Sequence, residues 1–245
     1  MNNSIYFNSV YFDAEWGLHH LVRRIIGAVY SGLVSLARHF TKILDFVITP
    51  QQVVLENTWT GYATSTTVTV AVDISSSANS YVTVGASINS SAGVTATCTL
   101  NGVNVPSLAG GSTVRSCYLF GIIPATTGSQ NVVVTLSGST TCRVIVNQLS
   151  GVNQTTPTLA TNSTSADSTS VTTSAALTTS LFGLIVDVIS NESGTISAND
   201  GQTTVTVDGD IRGGYKIPTA TTDSPSYSSS SSSPMRISAA SFNPA

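Results

Sequence analysis

The stretch NVVVTLSGSTTCRVIVNQLS, residues 131–150, decides the fold class. It holds two runs rich in Val, Ile and Thr, NVVVTLS and TCRVIVNQLS, parted by Gly and Ser, with no three-and-four spacing in either. Such runs read as short strands, because branched side chains suit a pleated surface. Working outward, TTVTVAVDI, SYVTVGASI, VTATCTL, VRSCYLFGII, LFGLIVDVIS, TTVTVD, GYKIPTA and MRISAASF repeat the pattern, bringing the expected count to ten strands. YLFGII and LFGLIVDVI are apolar at both parities and should be central strands. TTVTV and VVVTL alternate and should keep one face in water. Asn101-Gly102 marks a hairpin, since both turn positions need positive φ, and Asp200-Gly201 and Asp208-Gly209 look like further tight turns. No helical pattern separates the strands, so a parallel sheet with crossover helices is excluded. The expected class is mainly β: an antiparallel two-sheet β-sandwich, jelly-roll-like, preceded by an N-terminal amphipathic α-helix.

That helix is read from Leu18 to Val47, where apolar residues recur at three-and-four spacing for about eight turns. His19, His20, Arg23, Arg24, Arg38, His39 and Lys42 fall largely off the stripe, and Pro50 ends it. MNNSIYFNSVYFD, ahead of it, reads as an extended arm with aromatic anchors. The domain reading is therefore 1–55, arm and helix for anchoring or oligomerisation, and 56–245, the β-sandwich. Candidate partner-binding residues are Phe12, Trp16, Leu21, Ile25, Val29, Leu33, Leu36 and Phe40. A membrane span needs roughly 20 consecutive apolar residues, and Ile25–Ala37 falls short. Contact with a lipid surface ranks below packing on protein, either other chains of the same kind, with a trimer favoured, or a larger partner.

Only 9% of the 245 residues are charged, and the net charge of −3 divides as +1 over residues 1–50 and −4 beyond. No basic surface large enough to neutralise a phosphate backbone can be assembled from the second part of the chain, which argues against nucleic acid as a partner. The three cysteines, Cys98, Cys117 and Cys142, each sit inside an apolar or alternating run and read as buried free thiols. All three histidines precede residue 50, so a Ser-His-Asp or Cys-His arrangement cannot be built in the β region. Asp187, Glu192, Asp200, Asp208 and Asp210 are the carboxylates from which a hydrolytic pair would have to come. Asp200 and Asp208 are more simply turn residues, and Asp187 a strand-edge or hydrogen-bonded acid. NDGQTTVTVDGD lacks a calcium-loop spacing. No cofactor, no metal and no catalytic residue is expected. Aromatic residues could line a sugar-binding face, though core packing explains them as well. Arg212, Tyr215 and Lys216 in DIRGGYK form the best candidate recognition loop, its glycines suggesting exposure. The serine run 228–233 reads as a flexible loop.

VTATCTLNGVNVPSL, VRSCYLFGIIPATTGSQNVVVTLSGS, CRVIVNQLSGVNQTTPTLATNS, LFGLIVDVIS, NDGQTTV and MRISAASFNP follow one another in an order that resembles a β-sandwich module of bacteriophage virion proteins and bacterial surface proteins. The resemblance covers roughly residues 65–245. Its turn is Pro124-Ala125-Thr126-Thr127-Gly128, one residue longer than the module's, and its closing motif is Gly151-Val152-Asn153-Gln154-Thr155-Thr156-Pro157. What the resemblance implies is a building block of viral appendages or cell-surface chains, with no shared catalytic activity. A virion location, other virion proteins as partners, and a glycan or host receptor as the alternative partner follow as expectations. Within the motif, Gly151 frees the chain to leave its sheet, and the Thr/Ser tract after Pro157 becomes a crossing between sheets or an edge.

Overall fold

A computed structural model describes residues 5–48, 51–91, 93–112, 115–172 and 176–245, of which 5–18, 42–48, 90–91, 112 and 172 by their backbone alone. The chain divides into two units, residues 1–49 and 50–245. The first holds one helix, α1, Ile5–Ile48. It begins well before the expected Leu18, so residues 5–13 are helical and not an extended arm. The three-and-four spacing explains this, because it continues upstream through Phe7, Tyr11 and Ala14 with no proline to break it. At about 1.5 Å per residue α1 is on the order of 65 Å long.

The second unit is all antiparallel β-structure, as the alternating runs require. Its strands are β1 Val54–Ile74, β2 Tyr81–Ser91, β3 Ala96–Leu100, β4 Val103–Asn104, β5 Ser107–Ser112, β6 Arg115–Ile122, β7 Gly128–Ser150, β8 Thr158–Thr172, β9 Leu177–Thr178, β10 Leu184–Asn191, β11 Ile196–Ala198, β12 Thr203–Val207, β13 Asp210–Lys216, β14 Thr222–Asp223 and β15 Ser226–Phe242. The described residues thus form fifteen strands where ten were expected. A seven-stranded sheet runs β4-β3-β7-β2-β6-β5 with β1 also on β7, and a six-stranded sheet runs β11-β15-β10-β13-β12 with β8 also on β15. Strands β6 and β10 are central, as their unbroken apolar runs demand. Asn101 and Gly102 take φ of 48° and 81° at the β3–β4 hairpin, which is what an Asn-Gly turn supplies.

NVVVTLSGSTTCRVIVNQLS is one strand, not two. β1 follows β7 along its whole length, but the register jumps from Ser65↔Thr140 to Thr67↔Thr135, leaving Leu136–Ser139 bulged opposite one residue. The ribbon bends there, and the two halves of β1 meet: a Cβ on Gly61 would lie 2.5 Å from Val70 Cγ2. One core is thereby closed within the first sheet, with Val68, Val70, Val132 and Val134 from one side and Val82, Val84, Val144 and Val146 from the other. The opposite face of β2, β6 and β7 packs on the second sheet. Cys117, Leu119, Leu149 and Tyr81 meet Leu184, Val186, Val188 and Phe242 there. Gly85 lets the sheets approach, since a Cβ would come within 3.0 Å of Val188 Cβ. A third cluster, Ile189, Ile196, Tyr227, Met235 and Ile237, lies on the far face of the second sheet. The three cysteines are free and buried, as expected.

The serine run is likewise strand, not loop. β15 pairs Ser228 with Ser170 and then Ser233 with Ser168, so the serines between form a wide bulge. Their small hydroxyls bond the β10–β11 connection instead: Ser229 and Ser233 Oγ donate to Ser193 O at 3.0 and 3.1 Å, and Ser230 Oγ accepts from Thr195 N at 2.9 Å.

Candidate functional site

Two surfaces carry features beyond packing. On α1, Leu21, Ile25, Val29, Leu33, Leu36 and Phe40 expose between 53% and 59% of their area. Spacing alone put these residues on one face, and none of them is covered. The side chains of Phe12 and Trp16 lie outside the described residues. No helix of the described residues is long and apolar enough to cross a membrane.

The other surface surrounds Tyr215 and Ile217. An open cleft of about 310 Å³ is lined by Asp200, Gly201, Thr203, Tyr215, Lys216, Ile217 and Thr219. A second, of about 300 Å³, is lined by Gln52, Val53, Val54, Leu55, Leu184, Tyr215 and Ile217. Tyr215 and Ile217 line both, so a polar hollow and an apolar one share a border. Ile217 and Val54 are about half exposed, at 51% and 46%. Sequence reasoning found Tyr215 and Lys216 but missed the Ile217 and Val54 side; an isoleucine between Lys216 and Pro218 was the available signal.

Arg212, Tyr215 and Lys216 do not form an exposed loop. They lie on β13, and its glycines serve packing: a Cβ on Gly213 would lie 2.5 Å from Asp187 O, and one on Gly214 2.8 Å from Tyr227 Oη. Arg212, only 7% exposed, donates to Asn191 Oδ1 and pairs with Asp210 at 2.5 Å. Arg143 reaches Asp208 and Asp210 at 3.2 and 3.4 Å and lies 5.4 Å from the centre of the Tyr62 ring. Lys216 Nζ lies between Asp200 at 2.8 Å and Asp223 at 3.0 Å. Burial, reinforced by Asp223, holds the Asp200 carboxyl above its ordinary range against the pull of Lys216.

Four of the five candidate acids, Asp187, Asp200, Asp208 and Asp210, are thus committed to other partners. Asp208 takes φ of 54° at its turn, as the Asp-Gly pair predicts. Asp187 is a hydrogen-bonded acid in the middle of a central strand, not at an edge. It accepts from Tyr227 Oη at 2.5 Å and from Gln202 Nε2 at 2.9 Å, and burial pushes its pKa up to about 6. Glu192 is exposed. Among the described residues no group of three or more His, Cys, Asp or Glu could hold a metal ion.

The closing motif does structural work. Gly151 takes φ of 68°, with its N–H on Ala78 O, and Val152 N–H bonds Asn79 O. Asn153 Oδ1 accepts from the Thr155 and Thr156 N–H groups, both at 2.9 Å, making the turn. Asn243 N–H then bonds Pro157 O, and Ala245 N–H bonds Gly151 O. Residues 151–157 carry the chain from the first sheet to the second and tie down its C-terminus. The Thr/Ser tract that follows is the edge strand β8.

No family model matches the chain, and no curated protein matches it. Solved structures give remote likenesses. An FMN-binding beta-glucuronidase from Facaelibacterium prausnitzii L2-6 shares 10% identity over 74% of this chain, with a TM-score of 0.26; the chain spans 30% of that enzyme's length. A family 35 carbohydrate binding module from Clostridium thermocellum shares 15% over 41% of this chain and 95% of its own, with a TM-score of 0.25. A beta-glucuronidase from Ruminococcus gnavus shares 8% over 78% of this chain and 44% of its own, with a TM-score of 0.24. Likenesses this remote carry no statement about what the chain binds or does.

Proposed function

We propose that this chain is a non-enzymatic structural protein of a bacteriophage virion, a capsid decoration, fibre or tail appendage, held in the particle by α1 while the sandwich projects or cements. The exposed apolar stripe of α1 carries the reading, because a face of this kind left in water is a cost that packing on protein removes. The ion-poor, hydroxyl-rich β unit and the order of its motifs support it. Deleting residues 1–50 tests it: the remaining chain should stay folded and soluble by circular dichroism yet be missing from purified particles. A truncated chain still incorporated at the native level refutes the anchoring role.

A second reading rests on the paired clefts at Tyr215. A partly exposed aromatic ring between a polar and an apolar hollow suits a glycan or a host receptor, which offers both kinds of surface. Binding on a glycan array that disappears with Tyr215→Ala would favour it; an array blank for the native chain would remove it.

A further inference from the structure

Within the apolar stripe of α1 runs a stricter pattern. Val22, Ile26, Val29, Leu33, Leu36, Phe40, Ile43 and Val47 are separated alternately by four and three residues, without a break. A helix that merely lies on a surface needs a stripe of period 3.6, which drifts by about 20° per heptad against a strict seven-residue repeat. Holding the repeat specifies a left-handed supercoil with copies of the same seam. Ile26, Leu33, Phe40 and Val47 take the a positions, and Val22, Val29, Leu36 and Ile43 the d positions. Three of the four d positions hold β-branched residues, Val22, Val29 and Ile43, where a two-stranded coil favours Leu, and this suits three or more strands.

Charge and area point the same way. In a parallel register each g residue meets the e residue five places on in its neighbour: Ile25 with Tyr30, Gly32 with Ala37, His39 with Leu44. None of these is a like-charge pair. Arg24 and Arg38 fall at f and Lys42 at c, facing outward, and Arg23 at e meets Leu18. The exposures of Val22, Ile26, Val29, Leu33, Leu36 and Phe40, with Ile25 and Tyr30 beside them, amount to on the order of 800 Å² per helix, which is what each partner gives to a stable interface of standard size.

We infer that α1 assembles three copies of this chain into a parallel, in-register coiled coil. The inference deepens the anchoring role proposed above by naming what covers the stripe. Light scattering on the purified full-length chain at micromolar concentration should give the mass of three chains, and Leu33→Asp with Leu36→Asp should give one. Val22→Cys, far from the middle of the seam, should be joined to its copy by a short bismaleimide, because only a parallel arrangement brings residue 22 beside itself. Ser31→Cys, at an outward f position, should not. Any mass other than three chains, an absent Val22→Cys crosslink, or a monomer that instead sediments with phosphatidylserine vesicles overturns the inference. A monomer that enters particles only when residues 1–50 are present overturns the trimer and leaves the anchoring role standing.

Discussion

Tyr227 donates its hydroxyl to Asp187 Oδ1 at 2.5 Å inside the second sheet, where both residues are all but inaccessible to water. The carboxylate has three donors, from Tyr227, Gln202 and the Gly214 N–H, yet burial outweighs them and its pKa rises from 3.8 to about 6. An acid raised in this way holds its proton more tightly folded than unfolded. Its contribution therefore favours folding below about pH 4, declines through the interval up to about 6, and is flat above, a loss of roughly 3 kcal/mol. Asp187→Asn keeps the shape and has no proton to lose. Urea midpoints at pH 4 and pH 7 should show the variant gaining about that much on the native chain at the higher pH; an unchanging difference would rule the account out.

Gly85 sets the spacing between the sheets, its absent Cβ 3.0 Å from Val188 Cβ. Gly85→Ala should cost about 1–3 kcal/mol by overpacking. Val188→Ala should cost a similar amount through its cavity. Combined, they should cost less than their sum, because the cavity receives the added methyl. Additive thermal shifts would mean that the contact does not govern the approach.

Gly151→Ala faces two penalties, a φ of 68° and a Cβ placed 2.4 Å from Gln52 O. Gly209→Ala, at φ of 79° with nothing within 4 Å, faces only the first. The Gly209 change should cost about 1–2 kcal/mol, and the Gly151 change clearly more in the same denaturation assay. Equal costs would show that residue 151 has room and that the motif needs its backbone angle alone.

Cys98, Cys117 and Cys142 are each buried, which pushes their thiols up to about 12. Thiolate is the reactive form, so a chromogenic disulfide reagent should label none of them in the native chain and all three in denaturant. Rapid labelling of any one under native conditions would place it at the surface.

The period of two made the strands and their antiparallel pairing legible, and Asn101-Gly102 located a hairpin. Strand length was not legible. Gly, Ser and Thr between the apolar halves of β7 look like a turn, but in register with β1 they form a bulge that bends the ribbon without ending it. Ser228–Ser233 misled for a related reason, since hydroxyls that bond neighbouring backbone look the same in sequence as residues that stay in water. At the candidate site, Tyr215 was visible as an aromatic beside a cation. The glycines next to it suggested exposure because nothing in one sequence reveals that Asp187 O and Tyr227 Oη press on them from other strands.

The long ribbon has a consequence for how the chain reaches its native state. Val54 pairs with Ser150 and Ile74 with Gly128, so β1 cannot be completed until most of the intervening polypeptide has left the ribosome. Pairing at such separation slows the search, and β2, buried at every position from Tyr81 to Ile88, likewise waits for its partners Cys142–Leu149. During synthesis the chain is therefore most vulnerable to clumping just before residue 150 emerges, and a chaperone acting in that interval would have the greatest effect on yield.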